Sequence, residues 1–199
     1  RTSGVIGDDV GIPIDKILAV IAIIIFTFVN VRGSSDTGKV GNAITFTQLA
    51  IIGILIAAAI GAMMFANPNW SDNYRDFLPS GVAGLALAMG LTFIAFEGYE
   101  IISQAGDEIK NPRKNIPRAI MISLGIVVSV YIVFTFVFIG GLNESVIGMP
   151  AWEFIGSFGE LGIIEAADQF LPFGALIVLA GGLVSTLSAL NATTFAASR

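Results

Sequence analysis

The chain has 199 residues, of which 55% are hydrophobic and only 13% are charged, and its mean hydropathy is +0.85. A soluble domain carries about 25% charged residues, so this composition excludes an ordinary soluble fold and predicts an integral membrane protein. Because the sequence contains neither Cys nor His, disulfides, thiolate metal sites and His-based catalysis are excluded, and we expect no metal site and no cofactor. The net charge of -5 gives no indication of nucleic-acid binding.

Long uncharged stretches divide the chain, and most of them reach the roughly 20 apolar residues with which a helix crosses a bilayer. Their length and their lack of alternation exclude barrel strands. The sequence therefore predicts an all-α integral membrane protein with five transmembrane helices. Within a single membrane domain over residues 1–199, we place the spans at about residues 12–31, 44–66, 78–105, 119–142 and 170–198. In the last span, the spacing of Gly181, Ser185 and Ala189 predicts close packing on another helix.

The connection between the last two spans contains an amphipathic segment at about residues 151–168. Its apolar side chains recur every three to four positions, which predicts a short helix that lies across the outer face of the membrane. The pattern leaves open whether this segment acts as a gate or only as a lid.

Lys and Arg residues are distributed unequally between the two sides of the predicted membrane domain. One side has three of them, and the other has seven: Arg32, Lys39, Lys110, Arg113, Lys114, Arg118 and Arg199. By the positive-inside rule the richer side is cytoplasmic, so we expect a multi-pass protein of the cell membrane that begins outside and ends inside. The chain begins without Met and ends directly after an uncharged run, from which we expect a fragment of a longer protein.

The third span contains two carboxylates, Glu97 and Glu100, about 20 residues from its start. A charged side chain deep in a bilayer costs roughly 2.5–3.5 kcal/mol on insertion scales, so such residues usually face a cavity or a partner. On a continuous helix they share a face with Gln104, Asp107 and Glu108, which predicts one wall of a water-filled path. The alternative is that the helix simply leaves the membrane near Phe96.

Gly98 lies between the two carboxylates and is flanked by the aromatic residues Phe96 and Tyr99. A glycine in this setting predicts a break in the helix. Broken helices at membrane depth are tolerated where they line a cavity, and their free backbone groups bind ions or substrate there.

Two segments, FIAFEGYE at residues 93–100 and DEIKNPRKNIPRAI at 107–120, resemble the sixth helix and the following loop of the amino acid–polyamine–organocation (APC) permeases. NVRG at 30–33 resembles the end of that family's fourth helix, and STLSALNA at 185–192 resembles its eighth. The resemblance covers nearly the whole chain and implies helices four to eight of a twelve-helix transporter, with the other helices as missing partners. It also implies part of a five-plus-five inverted-repeat (LeuT-type) transporter fold, in which helices one and six are broken at the substrate site.

This resemblance implies a substrate site in the unwound part of the third span, formed by Ile94, Phe96, Glu97, Gly98 and Tyr99. Backbone carbonyl groups there would bind the ammonium group of the substrate. Ile94 stands where some relatives carry an aromatic residue that closes over the substrate.

Three residues are implied candidates for coupling to protons or another cation. Glu100 matches the acidic position of the family just after the break. Thr186 and Ser188 lie where sodium-coupled members of the wider fold supply hydroxyl ligands, although helical hydroxyl groups also bond to their own i−4 carbonyls. Gln48 lies near the position of a lysine in some proton-coupled relatives, so we expect the lysine mechanism to be absent.

The resemblance thus implies a secondary active amino acid transporter, and not an enzyme, that works by alternating access. The sequence has no phosphate-binding loop, and its Ser and Thr residues have no nearby base at membrane depth, so we expect neither ATP-driven pumping nor hydrolysis. Two alternatives stay open: a polyamine or organic-cation permease, with Glu97 and Glu100 as counter-charges, and a non-transporting membrane sensor. The expected partners are an amino acid or small amine, a co-transported ion and the lipid bilayer.

Overall fold

The computed structural model describes residues 14–31, 34–96, 98, 102 and 106–197, and the regular elements in this part of the chain are helical. In chain order the α-helices are α1 (Ile14–Val31), α2 (Ser34–Gly61), α3 (Gly81–Ala95), α4 (Pro112–Gly141), α5 (Glu144–Ile147), α6 (Ala151–Ser157), α7 (Gly162–Phe170) and α8 (Gly174–Ala197). Short π- or 3₁₀-helical pieces lie at Ala62–Ala66, Trp70–Tyr74, Gly106–Glu108 and Gly159–Leu161. The predicted all-α class is confirmed.

Among the described residues, three helices are long and apolar enough to cross a membrane: Gly38–Ala66, Pro112–Gly141 and Gly174–Ala197. Two shorter apolar helices, Lys16–Phe28 and Gly81–Phe93, belong to α1 and α3. Large apolar side chains are exposed along these helices, among them Ile24, Leu87, Phe93 and Ile122. Such a surface suits lipid and not water, which agrees with a membrane protein.

The helix ends differ from the predicted spans in an informative way. α2 begins at Ser34 and α4 at Pro112, several residues before the hydrophobic runs from which spans 44–66 and 119–142 were placed. Polar residues form these first turns, and a proline fits the first turn because its missing N–H needs no intrahelical partner there. α3 ends at Ala95, and most of the remaining residues of the predicted span 78–105 lie outside the described part of the chain.

α2 is the central helix of the described bundle and packs antiparallel on α8 and parallel to α4. On the α8 side, Gln48 Nε2 donates a hydrogen bond of 2.9 Å to Ser185 Oγ, so the small-residue stripe of α8 meets α2 as its spacing predicts. On the α4 side, a Cβ atom on Gly141 would lie 3.2 Å from the carbonyl oxygen of Ala59. A side chain at that position would therefore force the two helices apart.

The buried core lies at the C-terminal ends of α2 and α4. Its members are Leu55, Ala59, Val137, Phe138, Leu142, Ala151, Phe154, Ala166 and Ala167. Residues 67–80 and 143–173, which we call the cap, cover this end of the bundle. Within the cap, the segment expected as one amphipathic helix at residues 151–168 consists of two helices, α6 and α7. The chain turns between them at Gly159, whose φ of 55° interrupts the helix.

Candidate functional site

α3 ends immediately before the glycine at which the sequence predicts a break. Its last helical residue is Ala95, and the Phe96 N–H donates to the carbonyl of Phe93 at 3.1 Å, which closes a tighter i→i−3 turn. Gly98 has a φ of 103°, a conformation that residues with side chains rarely adopt. The α-helix therefore does not continue through this position.

The structure describes only part of the predicted substrate site. Phe96 and Gly98 are described, and Ile94 belongs to α3 although its side chain lies outside the described part of the chain. Glu97, Tyr99 and the coupling candidate Glu100 lie outside the described residues altogether. The roles assigned to these residues stay predictions.

An aromatic contact joins the end of α3 to α4. The rings of Phe96 and Tyr131 have centroids 5.5 Å apart and an interplanar angle of 64°, which is an edge-to-face arrangement. Sequence reasoning missed Tyr131. The available signal was a tyrosine in the middle of an apolar run, where its hydroxyl group needs a polar partner.

The two hydroxyl candidates for cation coupling lie on α8. The Thr186 hydroxyl donates to the carbonyl of Gly182 at 3.0 Å, which is the i−4 hydrogen bond that hydroxyl groups commonly form within helices. Thr186 and Ser188 are two positions apart on a continuous helix, so they do not share a face, whereas Ser188 and Ser185 do. Because Ser185 accepts from Gln48, the face of Ser188 is directed toward α2.

The main described contacts of α8 and those of Phe96 are with different helices. α8 packs mainly against α1, α2 and α7, whereas Phe96 contacts α4. Within the described part of the chain, no three Asp, Glu, His or Cys side chains are grouped as ligands for a metal ion.

Asparagine side chains of the cap bind the C-terminal end of α4. Asn67 Nδ2 donates to the carbonyls of Gly140 and Leu142 at 3.0 and 2.8 Å, and Asn73 Nδ2 donates to those of Ile139 and Leu142 at 2.7 and 2.8 Å. Both asparagines are buried, with exposed fractions of 2% and 7%. The last carbonyl groups of a helix lack intrahelical donors, and these amides supply them. Sequence reasoning missed both residues.

Tyr74 adds a second attachment of the cap to α4. Its hydroxyl group donates to the carbonyl of Phe136, and the two rings stack with centroids 4.9 Å apart. Trp70 meets the Phe136 ring edge-on at 6.1 Å. Burial raises the pKa of Tyr74 above its ordinary value of 10.0, and this effect exceeds the opposite effect of a backbone hydrogen bond.

A cavity of about 600 Å³ lies between α4 and the cap. Its lining is mainly apolar and includes Tyr74, Phe136 and Trp152, with the carboxylate of Asp76 among the polar groups. Tyr131 also lines this cavity, so one side chain borders both the cavity and the end of α3.

Three relatives show what this chain is similar to. A methylthioribose transporter of Bacillus subtilis is 31% identical over 186 residues, which are 91% of this chain and 38% of that protein. A branched-chain amino acid permease of the same bacterium is 28% identical over 114 residues, or 57% of this chain and 23% of that protein. Human cationic amino acid transporter 4 is 34% identical over 88 residues, or 44% of this chain and 14% of that protein.

The match to a known family extends along almost the whole chain. The chain spans 36–40% of the length of curated relatives that it matches along most of its own length. No solved structure matches it with significance. The three relatives above are transporters and not enzymes, and the family model described as amino acid permease matches residues 7–199. The chain therefore belongs to the amino acid permease family, as its resemblance to the APC permeases predicted.

Proposed function

We propose that this chain supplies central helices of a secondary active amino acid transporter, a multi-pass protein of the cell membrane that works by alternating access. The observation that carries the proposal is the end of α3 at Ala95, followed by Gly98 with a φ of 103°. The 15 residues of α3 place this point about 22 Å from the start of the helix, at a rise of about 1.5 Å per residue. That depth lies inside the roughly 30 Å hydrocarbon layer, where irregular backbone is tolerated only when it is enclosed by protein or lines a cavity.

The proposed substrate suits the groups that such a helix end presents. Carbonyl groups at the end of a helix lack intrahelical donors and accept hydrogen bonds from an ammonium group. The positive end of a following half-helix attracts a carboxylate. Phe96 and Ile94 would offer apolar contact to the substrate side chain. The branched-chain amino acid permease and the cationic amino acid transporter among the relatives support a substrate of this class.

A cationic substrate is the second candidate. Glu97 adds a carboxylate next to Gly98, and the human relative is named for cationic amino acids. In this version Glu97 and Glu100 act as direct counter-charges to an amine. The similarity to a methylthioribose transporter makes a solute other than an amino acid a third outcome to test.

We place cation coupling at Glu100 and at the hydroxyl groups of Thr186 and Ser188. Thr186 donates its hydrogen to Gly182, which leaves the oxygen able to accept from or coordinate a cation. Because Thr186 and Ser188 do not share a face, the two hydroxyls are separate candidates and not a pair around one ion.

The substrate class is tested by uptake into proteoliposomes that contain the complete permease. We expect labelled leucine to accumulate when an inward proton or sodium gradient is imposed, and not when the gradient is collapsed. Uptake of arginine or putrescine alone would support the cationic candidate, and its loss in Glu97→Gln would assign the counter-charge. Uptake of methylthioribose alone would overturn the proposal of an amino acid substrate. Binding of a solute without its transport would support the alternative of a non-transporting membrane sensor.

The helix break is tested by a pair of glycine substitutions in the same helix region. Gly98→Ala places a side chain at a φ of 103°, a strain of about 1–3 kcal/mol, so we expect uptake to fall roughly 5- to 160-fold. Gly90→Ala is the matched control, because Gly90 lies within α3 and a Cβ atom there meets nothing within 4 Å. Initial rates are normalised to the amount of folded protein in the membrane. An equal loss of uptake in both variants would argue against a site at the break.

A further inference from the structure

Tyr131 lies about two thirds of the way along α4. It precedes the last residue of that helix by about ten positions, which is about 15 Å and so half of a hydrocarbon layer of roughly 30 Å. Tyrosine is enriched at membrane interfaces and is less common at this depth. Its position therefore points to a specific partner.

Phe96 is one partner of Tyr131 in the structure. Phe96 directly follows the last residue of α3, and its ring meets that of Tyr131 edge to face at 5.5 Å. Along the described part of α3, large side chains are exposed to 63–73% at Leu91 and Phe93, so packing of α3 itself does little to fix its end. The ring contact with Tyr131 joins this end to α4.

Fixing Phe96 matters because the next described residue is flexible by its chemistry. Gly98 has no side chain and adopts a φ of 103°, so its own preferences do not set the direction of the backbone. A binding site built from backbone groups needs those groups held in one orientation, since misplaced donors and acceptors lose affinity.

We infer that Tyr131 is a positioning residue of the substrate site. Its ring holds Phe96 against α4 and thereby fixes the orientation of the backbone at Phe96 and Gly98. The role of that backbone in substrate binding rests on the proposed function. Tyr131 is not expected to bind the substrate itself.

The first test measures transport kinetics of the complete permease with Tyr131→Ala, Tyr131→Phe and Ile132→Ala. For Tyr131→Ala we expect KM to rise roughly 2- to 12-fold, the range that corresponds to one edge-to-face ring contact, with little change in maximal rate per folded molecule. Tyr131→Phe keeps the ring and is expected to restore a KM close to that of the wild type. Ile132→Ala is the control, because Ile132 is the next residue of α4, is 65% exposed and borders the same cavity.

The second test does not depend on the identity of the substrate. Hydrogen–deuterium exchange of peptides covering residues 90–100 should be faster in Tyr131→Ala than in the wild type, and unchanged in Tyr131→Phe and Ile132→Ala. The inference is overturned if Tyr131→Ala matches Ile132→Ala in both KM and exchange, or if Tyr131→Phe is as defective as Tyr131→Ala. If exchange rises only in Tyr131→Ala but the wild type binds and transports none of the solutes tested, the proposed function fails and the positioning of the segment stands.

Discussion

The cap and the end of α3 are built in opposite ways. In the cap, Asn67 and Asn73 are almost completely buried and each donates two hydrogen bonds to carbonyl groups at the end of α4. The neighbouring core residue Phe138 is 1% exposed. At the end of α3 the helix stops, Gly98 has a positive φ, and Phe93 is 73% exposed.

This difference separates the part of the molecule that carries stability from the part that carries the proposed chemistry. Within the described residues, no buried side-chain nitrogen or oxygen lacks a hydrogen-bond partner, and the densest burial is at the capped end of α2 and α4. Regions with few buried contacts open locally at low free-energy cost, and binding sites are often drawn from them. We therefore expect substitutions in the cap to change stability, and substitutions at the break to change transport.

The largest expected effect on stability comes from the core under the cap. Phe138→Ala should lower the free energy of unfolding by about 3–5 kcal/mol, because it removes a buried ring from a close-packed site. Phe93→Ala also removes a phenylalanine ring, but from the exposed surface of α3, and should lower the free energy of unfolding far less. Both are measured by reversible denaturation of the complete permease in mixed micelles. Equal destabilisation by the two variants would remove the contrast between cap and break.

A smaller effect is expected at the attachment of the cap to α4. Asn67→Ala leaves the carbonyl of Gly140 without its side-chain donor, whereas the carbonyl of Leu142 keeps its hydrogen bond from Asn73. We therefore expect the free energy of unfolding to fall by about 1–3 kcal/mol. The exposed Asn69 lies two positions away, and Asn69→Ala should be nearly neutral. The same denaturation assay compares them, and a neutral Asn67→Ala would show that the cap is held by its apolar contacts alone.

The sequence was sufficient to predict the helical membrane fold, because an apolar run of this length has few other ways to satisfy its backbone in lipid. α4 ends at Gly141, next to the end of the apolar run from which the span at residues 119–142 is predicted. α2 and α4 begin before their apolar runs because their first turns are polar, and hydropathy reports lipid contact and not backbone conformation.

The candidate site was predicted in part for a similar reason. Gly98 was visible as a glycine between carboxylates in an apolar run, which is a local pattern. Asn67 gave no local signal and Tyr131 only its position within an apolar run, since the roles of both depend on contacts between distant segments: Asn67 and Gly140 are 73 residues apart in the sequence. Local patterns identify where a helix is interrupted, but not which side chains hold the interruption or the cap in place.

The smallest effect that we predict tests whether the cap excludes water at Tyr74. Burial raises the pKa of Tyr74 above 10.0, so the folded state holds the hydroxyl proton more tightly than the unfolded state does. This contribution to stability is complete below about pH 10 and is lost as the pH rises through the higher pKa of the folded state. The temperature of thermal unfolding of the wild type should therefore fall as the pH rises above about 10. Other groups titrate in this range too. The quantity to compare is therefore the slope of unfolding temperature against pH, measured in the wild type and in Tyr74→Phe, which has no group that titrates at this position. A shallower slope in Tyr74→Phe supports a desolvated cap, and parallel slopes would mean that water reaches Tyr74 as freely as it reaches an exposed tyrosine.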